Sequence, residues 1–280
     1  MLTVHAILLV SNIVTLFPFI YVVSNSISDP INVVQQRVWL FPEGFSLEAY
    51  GMVFKNKSIW ISYGNTLWYA VVGTLLNLIM TVITAYPLSV REFSGRKVFT
   101  LFMVFTMFFA GGIIPSFILV NKLGLYNTRW AIVIPAAIST WNVIITRSYF
   151  MQTIPVSLMD AAKIDGCTDI GILFRTVLPL SKPIIAVIAL YSAVGFWNSY
   201  FSALLYLPSP KYQPLQLFLM KILTQNSEEL QASATGFKRQ LYAAQLKYAA
   251  IIVSILPVIF TYPFLQKYFI KGMTLGAVKE

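Results

Sequence analysis

The sequence is short of the residue types from which most catalytic and metal centres are built. One cysteine, Cys167, and one histidine, His5, occur in 280 residues. A single cysteine excludes an internal disulfide and a cysteine cluster, and a single histidine excludes a histidine metal site. His5 lies inside the first apolar run, where a polar residue near a helix end is the simplest interpretation. We therefore predict no metal and no cofactor in this chain.

Charge is also scarce, and long apolar runs take its place. Charged residues make up 11% of the chain, whereas 58% is hydrophobic and 15% aromatic. Because about 20 apolar residues of helix cross a hydrocarbon core, we predict an all-α, polytopic membrane protein with six transmembrane helices and a single domain over residues 1–280. The six uncharged runs are Leu2–Ile27, Ile59–Val90, Val98–Val120, Trp130–Thr146, Pro183–Pro208 and Tyr248–Gln266.

The few charges that are present sum to a net charge of +10. They form no basic stripe with interleaved aromatic residues, so nucleic-acid binding is not expected. In a protein surrounded by membrane lipid, lysines and arginines scattered over loops are the simpler interpretation. The predicted loops carry equal numbers of basic residues on the two sides, so charge alone does not set the orientation.

One polar stretch, Pro155–Pro183, interrupts the apolar runs and carries helix signals. It contains three of the four aspartates of the chain. Pro155 can begin a short helix and Gly166 can end it. Thr168 can begin a second short helix, which is expected to end before Pro179. A short exposed helix with small alanines and acids at its edge suits docking into a groove of a partner.

The same stretch resembles the cytoplasmic loop of permease subunits of importer-type ABC transporters. That loop reads Glu-Ala-Ala, three residues, Gly, nine residues, Ile, one residue, Leu-Pro. Here Asp160 replaces the usual glutamate and Thr176 stands at the isoleucine position. The residues that match the spacing are Asp160, Ala161, Ala162, Gly166, Leu178 and Pro179.

The resemblance implies the type I importer permease fold and a transport subunit that is not itself an enzyme. The chain lacks a phosphate-binding loop of the form Gly-x-x-x-x-Gly-Lys-Ser/Thr, so ATP and magnesium would bind a separate ATPase. The loop over residues 155–183 would transmit closure of that ATPase to the helix bundle. The implied coupling residues are Leu158, Met159, Asp160, Ala161, Ala162, Asp165, Gly166, Leu178 and Pro179.

The resemblance also implies partners, a location and a cargo. A second, distinct permease in a heterodimer, two ATPase subunits and an extracytoplasmic solute-binding protein would complete the importer in the bacterial cytoplasmic membrane. The C-terminal run from Tyr262 is similar to the ends of carbohydrate permeases, most of all the group that includes transporters of alginate and other complex saccharides. The implied cargo is a carbohydrate, and one hypothesis makes it an acidic oligosaccharide of uronic acids.

Polar residues within the apolar runs are candidates for the transport pathway. Asparagine at membrane depth is costly unless it faces a partner or water, so it indicates either helix packing or a pathway. Phe-Trp-Asn at the end of the fifth run looks like the carbohydrate branch, where aromatic faces stack on sugars and amides bind hydroxyls; an interfacial aromatic belt is the alternative. The predicted pathway residues are Asn65, Asn77, Asn142, Trp197, Asn198 and Tyr200.

The predicted external segment, residues 209–247, holds most of the outer positive charge. By resemblance it contacts the solute-binding protein, and a solvated loop is the alternative. Its cations would also attract an acidic cargo through the external field. The predicted contact residues are Lys211, Lys221, Lys238 and Arg239.

Two other classes of function compete with the importer. An intramembrane enzyme is disfavoured, because Asp160 and Asp165 would lie about 140° apart on a helix and outside the apolar runs. An ion-coupled secondary transporter is the stronger alternative. Such proteins usually carry acids or cations at membrane depth and many show inverted repeats, and this sequence shows neither.

Overall fold

The computed structural model describes residues 2–224 and 242–260, and every regular element in those ranges is helical. A π-helical turn, Tyr69–Gly73, lies inside α4, and a second, Leu173–Val177, lies inside α10. The helices are α1 Leu2–Ile27, α2 Pro30–Val34, α3 Glu48–Lys55, α4 Lys57–Ser89, α5 Arg96–Phe108, α6 Ile113–Lys122, α7 Trp130–Val133, α8 Thr140–Thr153, α9 Val156–Ile164, α10 Asp169–Leu180, α11 Lys182–Trp197, α12 Tyr200–Tyr206, α13 Leu215–Thr224 and α14 Tyr242–Phe260.

Three of these helices, α1, α4 and α14, are long and apolar enough to cross a membrane alone. Two further candidates are bent pairs: α5 with α6 at 112°, and α10 with α11 at 83°. The described residues therefore contain three spans, or five if each bent pair is counted as one. The all-α membrane fold is confirmed, and the count of six spans stays a prediction.

The bend between α5 and α6 falls at Gly111-Gly112, a pair for which the sequence predicts either a bend or close packing of the helix. The helix stops at Phe108 and starts again at Ile113, and Gly112 between them has φ +86. Glycine adopts that left-handed conformation without the steric cost that a side chain would add. The Gly-Gly pair thus allows a sharp reversal within a single apolar run.

The run Trp130–Thr146 does not form the continuous helix that was predicted. It contains the short helix α7 and the first half of α8, separated by residues 134–139. Pro135 cannot donate the backbone hydrogen bond that would continue α7. Ser139 then begins α8, since its side chain accepts a hydrogen bond from Asn142 N at 3.4 Å.

The prediction that the second helix of the polar stretch ends before Pro179 is wrong. Helix α10 passes through the proline and ends at Leu180. The π-helical turn of α10, Leu173–Val177, lies just before Pro179. Pro179 is the second residue of the short α-helical turn Leu178–Leu180 that follows it. A proline is tolerated there because an N–H at that position needs no helical partner.

The described chain divides into two compact units, one of residues 2–64, 213–224 and 242–260, and one of residues 65–212. In the first unit the amide of Gln245 on α14 is fully buried and donates to the carbonyls of Ser26, Ser28 and Ser46 at 3.2, 2.7 and 3.2 Å. One side chain therefore ties α14 to the end of α1 and to the loop that follows it.

The second unit has its apolar core where α4, α8, α10 and α11 pack together. Buried residues of α4, such as Ala85 and Leu88, meet Val143 and Phe150 of α8. The core continues with Ile172, Leu173, Val177, Ile184 and Ile188 of α10 and α11. This packed joint holds the polar stretch at one end of the unit.

Close approach of two helices in this unit depends on Gly73. A Cβ atom at Gly73 would lie 2.6 Å from the ring of Phe196 on α11. We expect Gly73→Ala to destabilise the protein by about 1–3 kcal/mol, because a packed ring must move. The thermal unfolding midpoint of the detergent-extracted protein, followed by tryptophan fluorescence, measures the loss.

Gly64→Ala is the matched control, since a Cβ at that helical position meets nothing within 4 Å. It should leave the midpoint unchanged or raise it slightly, because alanine favours helix over glycine. Phe196→Leu added to Gly73→Ala should restore part of the loss. Equal midpoints for Gly73→Ala and Gly64→Ala would contradict the assigned contact.

Candidate functional site

Helix α9 in the polar stretch is defined by its two ends. Pro155 precedes it with an extended backbone, as expected for a helix start. At the other end Gly166 has φ +77, Gly166 N donates to Lys163 O at 3.0 Å, and Cys167 N donates to Ala162 O at 3.0 Å. This pair of bonds is the Schellman motif, so Gly166 ends α9 as predicted and turns the chain sharply towards α10.

The two sides of α9 have different surroundings. Met159 and Ala162 are half-buried against the apolar core of the second unit. Leu158, Ala161 and Ile164 are exposed, and Ile164 reaches 86% exposure. The motif predicts the same coupling role for Ala161 and Ala162, but the structure places only Ala161 on the exposed side of α9.

The other predicted residues of the stretch lie around this helix. Asp160 is exposed beside a narrow gap between α9 and the end of α4, and Asp165 is exposed at the C-cap of α9. Leu178 is half-buried against the core, whereas Pro179 is exposed. The structure therefore leaves both acids and Ala161 accessible to a partner, and Leu178 packs the stretch against the core.

An ion pair that the sequence did not reveal joins α9 to the turn after α4. Lys163 Nζ lies 3.2 Å from Glu92 Oε2, with both side chains substantially exposed. The hydrogen bond from Lys163 holds the pKa of the Glu92 carboxyl below its ordinary value. A carboxyl with a lowered folded pKa adds stability above its unfolded pKa and loses it as the pH falls through the folded value. The contact thus favours this arrangement at neutral pH, weakly because it is exposed.

A buried polar network joins three helices of the second unit. Asn142 Nδ2 on α8 donates to Asn77 Oδ1 on α4 at 3.0 Å and to Ser192 Oγ on α11 at 3.3 Å. Ser192 Oγ donates to Asn77 Oδ1 at 2.8 Å. Asn77 Nδ2 donates to the carbonyls of Ala136 and Ala137 at 3.1 and 3.3 Å, in the break before α8. Each amide thus has partners, which is what membrane depth requires.

The same network forms part of the wall of a cavity of about 340 Å³. Its polar lining consists of amides and hydroxyls, with an aromatic ring on each of two further residues. The lining carries no charged side chain among the described residues. The lining residues are Asn77, Ile132, Ala136, Ser139, Asn142, Tyr191, Ser192, Gly195, Phe196, Ser199 and Ser202.

Sequence reasoning found two of these lining residues and missed the serines. Asn77 and Asn142 stood out because an amide is costly in an apolar run. Ser192 looks ordinary in a sequence, since a serine in a helix can bond to its own backbone. The available signal was the series Ser192 inside α11 and Ser199 and Ser202 after its end, but only the break at Asn198 brings these hydroxyls to one cavity.

The other predicted pathway residues lie elsewhere. Trp197 is buried at 8% exposure, and Asn198 is exposed and donates to Val194 O in its own helix at 3.0 Å. Tyr200 is 41% exposed. None of the three is among the described residues that line the cavity. The structure instead gives the lining role to their neighbours Phe196 and Ser199.

Asn65 belongs to a separate cluster at the opposite end of the second unit. It donates to Lys211 O at 2.8 Å and accepts from Arg129 Nη2 at 3.0 Å. The Arg129 guanidinium lies over the ring of Trp68 at 5.3 Å, and Trp68 packs edge-on against Trp130. Asn65 therefore joins chain segments rather than lining the cavity, so the packing alternative describes it better.

The predicted binding-protein residues are only partly described. Lys211 is exposed, with its ammonium 5.3 Å from the centre of the Tyr212 ring. Lys221 on α13 is half-buried and donates to Gln213 Oε1 at 2.8 Å. Lys238 and Arg239 lie outside the described residues.

A match to a known protein family identifies the class of protein that contains this arrangement. Residues 58–275 match the family of binding-protein-dependent transport system inner membrane components. The chain belongs to this family. The permease resemblance drawn from residues 160–179 is thereby confirmed. Membership decides against the ion-coupled secondary transporter, and it makes the chain a transport subunit of the inner membrane that is not itself an enzyme.

Named relatives share most of the permease's length. The chain is 40% identical to Protein LplC of Bacillus subtilis, over 95% of this chain and 90% of that one. It is 40% identical to the polygalacturonan/rhamnogalacturonan transport system permease protein YtcP of the same organism, over 99% and 96%. A solved bacterial ABC transporter involved in import of the acidic polysaccharide alginate matches with TM-score 0.85 and 36% identity over 95% of both chains.

Membership of this family implies that the permease works with an ATPase and a solute-binding protein. It does not by itself assign a role to any residue of α9 or of the cavity. Those roles depend on the contacts described above.

The Schellman turn gives a local test of how α9 is held. We expect Gly166→Ala to cost about 1–2 kcal/mol, because a Cβ atom strains the left-handed backbone although the space around it is open. Hydrogen–deuterium exchange of the last turn of α9 should rise correspondingly. Gly166→Asn is the control, since asparagine tolerates this conformation. Identical exchange in the alanine and asparagine variants would show that the conformation carries no strain.

Proposed function

We propose that this permease moves an oligosaccharide inward through the cavity at Asn77, Asn142 and Ser192, driven by an ATPase that docks on the exposed side of α9. A heterodimer with a second permease, two ATPase subunits and one solute-binding protein is the assembly we infer. In this arrangement Asp160 and Asp165 make polar contacts across the joint.

The observation that carries the coupling role is the exposure of α9. No residue of this nine-residue helix is buried, and Ile164, in the polar stretch between apolar runs, is 86% exposed. An apolar side chain so exposed outside the spans fits a groove on a protein partner. The inward packing of Met159 and Ala162 supports a rigid connection, since a push on α9 would reach the core directly.

The position of α4 supports transmission over the depth of the membrane. Its segment from Asn65 to Ser89 would measure about 36 Å, given 1.5 Å per residue. Asn77 lies midway along this segment. Glu92, just after the end of α4, accepts a hydrogen bond from Lys163 of α9. Movement of α9 would therefore act on the helix that contributes Asn77 to the cavity.

Ile164→Glu tests the joint. We expect loss of at least about tenfold in the ATPase recovered with the detergent-extracted permease, because a charge would be placed in an apolar contact. Leu123→Glu is the control, since Leu123 is 61% exposed but follows α6 at the opposite end of the second unit. Undiminished ATPase recovery with a folded Ile164→Glu permease would exclude α9 as the docking helix.

For the cargo we propose an acidic oligosaccharide of the galacturonate or related uronate class. The names of two relatives support this assignment, because YtcP is a polygalacturonan/rhamnogalacturonan permease and the solved neighbour imports alginate. The cavity supports the sugar part of it, since amides and hydroxyls bind sugar hydroxyls and rings such as Phe196 and Tyr191 can stack on pyranose faces.

The basic residues of the outer segment then supply attraction rather than recognition. Lys211 is exposed, and we propose that it contacts the solute-binding protein together with Lys221, Lys238 and Arg239. Cations at this entrance would raise the local concentration of an acidic cargo. Selection among saccharides would rest with the binding protein and the cavity.

Ser202 in the cavity wall tests both the pathway and the charge of the cargo. Ser202→Asp should reduce uptake of free-acid galacturonate oligomers about tenfold more than Ser202→Asn, because the two side chains differ mainly in charge. Uptake of the fully methyl-esterified oligomers should fall equally in the two variants. Transport of radiolabelled oligomers into proteoliposomes containing the complete importer measures both.

The outcomes separate the parts of the proposal. Equal effects of Asp and Asn on the free acid would show that the acidic cargo does not pass this cavity. Absence of galacturonate uptake by the wild-type importer, with uptake of a neutral oligosaccharide, would replace the cargo while leaving the permease assignment intact.

A further inference from the structure

The segment between α2 and α3 exposes several large apolar side chains. Their exposed fractions are 68% for Trp39, 43% for Leu40, 81% for Phe41, 74% for Phe45 and 53% for Leu47. We call residues 39–47 the apolar segment. A single exposed apolar residue is ordinary on a protein surface, but several in one short segment indicate a surface that another molecule covers.

The exposure of the apolar segment does not come from a loose loop. Val38, immediately before it, is 1% exposed. Asp29 N and Asn32 Nδ2 both donate to Glu43 O, each at 3.1 Å. Glu43 N donates to Ser28 Oγ, also at 3.1 Å. The backbone is therefore fixed to the first unit, and the fold itself holds the apolar side chains outward.

Two hydrogen bonds set the level of the apolar segment along α1. Ser24 Oγ donates to Leu40 O at 2.7 Å, and Ser46 N donates to Ile27 O at 2.9 Å. Helix side chains tilt towards the N-terminus, and Ser24 lies about 4.5 Å before Ile27 along the helix axis. The carbonyl of Leu40 therefore lies beside the last turn of α1 and not beyond its end.

The length of α1 relates that level to the membrane. The candidate span Thr3–Ile27 has 25 residues. It is about 37 Å long, whereas the hydrocarbon core is about 30 Å thick. The surplus places the last turn of α1 close to the boundary between hydrocarbon and headgroups. The apolar segment, held beside that turn, lies at the same boundary.

We propose that the apolar segment anchors the first unit in the membrane–water interface at this end of α1. Trp39, Phe41 and Phe45 insert among the lipid headgroups and the first carbons of the acyl chains. Tryptophan is enriched at this level of membrane proteins, and Trp, Phe and Leu side chains of peripheral segments insert there.

Continuous cover favours lipid over the solute-binding protein as the molecule that contacts this surface. A binding protein docks and leaves, so it would return rings as exposed as that of Phe41 to water in each cycle. Lipid at the interface covers them throughout.

The same segment holds α14, which gives the anchor a structural consequence. Gln245 on α14 donates to Ser46 O at 3.2 Å, next to Phe45 and Leu47. It also donates to Ser28 O at 2.7 Å. Insertion of the apolar segment would therefore fix the start of α14 relative to the membrane surface. This role is independent of the cargo, of the cavity and of the docking of an ATPase on α9.

Fluorescence quenching of Trp39 in the complete importer, without its solute-binding protein, tests the anchor. The emission of Trp39 is the difference between wild type and Trp39→Phe, which keeps a ring at this exposed position. In liposomes of phosphatidylcholine brominated near the headgroup end of an acyl chain, this emission should fall at least about twofold, because an interfacial indole contacts those carbons. The emission of Trp197, obtained in the same way from Trp197→Phe, is the control and should change little, since Trp197 is 8% exposed.

A charge in the apolar segment tests the role of its side chains. Phe41→Glu should lower the quenching of Trp39 by brominated lipid about twofold and raise its quenching by aqueous acrylamide, because a carboxylate draws the segment towards water. Gln35→Glu is the matched control, since it adds the same charge to an exposed polar residue between α2 and the apolar segment. It should leave both kinds of quenching unchanged.

Three outcomes would overturn the anchor. Trp39 emission that brominated lipid does not change, but acrylamide quenches, would place the segment in water. Emission that neither quencher changes would show that a protein subunit covers it. Equal lipid quenching of Trp39 in wild type and Phe41→Glu would show that the apolar side chains do not hold the segment in the interface.

Discussion

A buried amide at membrane depth must find its hydrogen bonds inside the protein, and the second unit of this chain is arranged around that requirement. Asn77 reaches Asn142, Ser192 and two backbone carbonyls, so one side chain connects α4, α8, α11 and the break before α8. Interhelical hydrogen bonds of this kind contribute about 0.6–2 kcal/mol each. Because they are directional, they also fix which faces of the helices meet.

The network and the cavity are therefore one feature with two consequences. Helices joined only by apolar packing would fill the space between them, whereas amides and hydroxyls that bond along one edge leave polar groups facing an opening. Asn77 and Asn142 both pack helices together and line the cavity, so a packing role and the proposed pathway role do not exclude each other for these two residues. For Asn65 only the packing role fits the contacts, since its hydrogen bonds to Arg129 and Lys211 O lie away from the cavity.

Local signals in the sequence predicted local structure well. Gly166 and Pro155 mark the ends of α9 because their backbone preferences act within a few residues. The Gly-Gly bend was predictable for the same reason. The helix end predicted from Pro179 was wrong, because a π-helical turn upstream accommodates the proline. No residue pattern in the sequence indicates such a turn.

Features that depend on contacts between distant segments were not predictable. Ser192 joins the buried network through its hydrogen bond to Asn77, 115 residues away. Lys163 forms its ion pair with Glu92, which lies on the turn after α4. The family assignment succeeded because a motif of fixed spacing survives in one short stretch. Trp197 and Asn198 do not line the cavity, because the helix ends at Trp197 and their neighbours Phe196 and Ser199 face it instead, so their pathway role stays a prediction.

The bend between α5 and α6 has a consequence for what must surround it. Residues Phe109–Gly112 are exposed and non-helical in the middle of an apolar run. Hydrocarbon does not tolerate bare backbone, because each unpaired group costs several kcal/mol there. This segment therefore needs cover from another protein or from water before the fold is complete. The bend between α5 and α6 therefore belongs at a place where water or a neighbouring molecule can supply those hydrogen bonds.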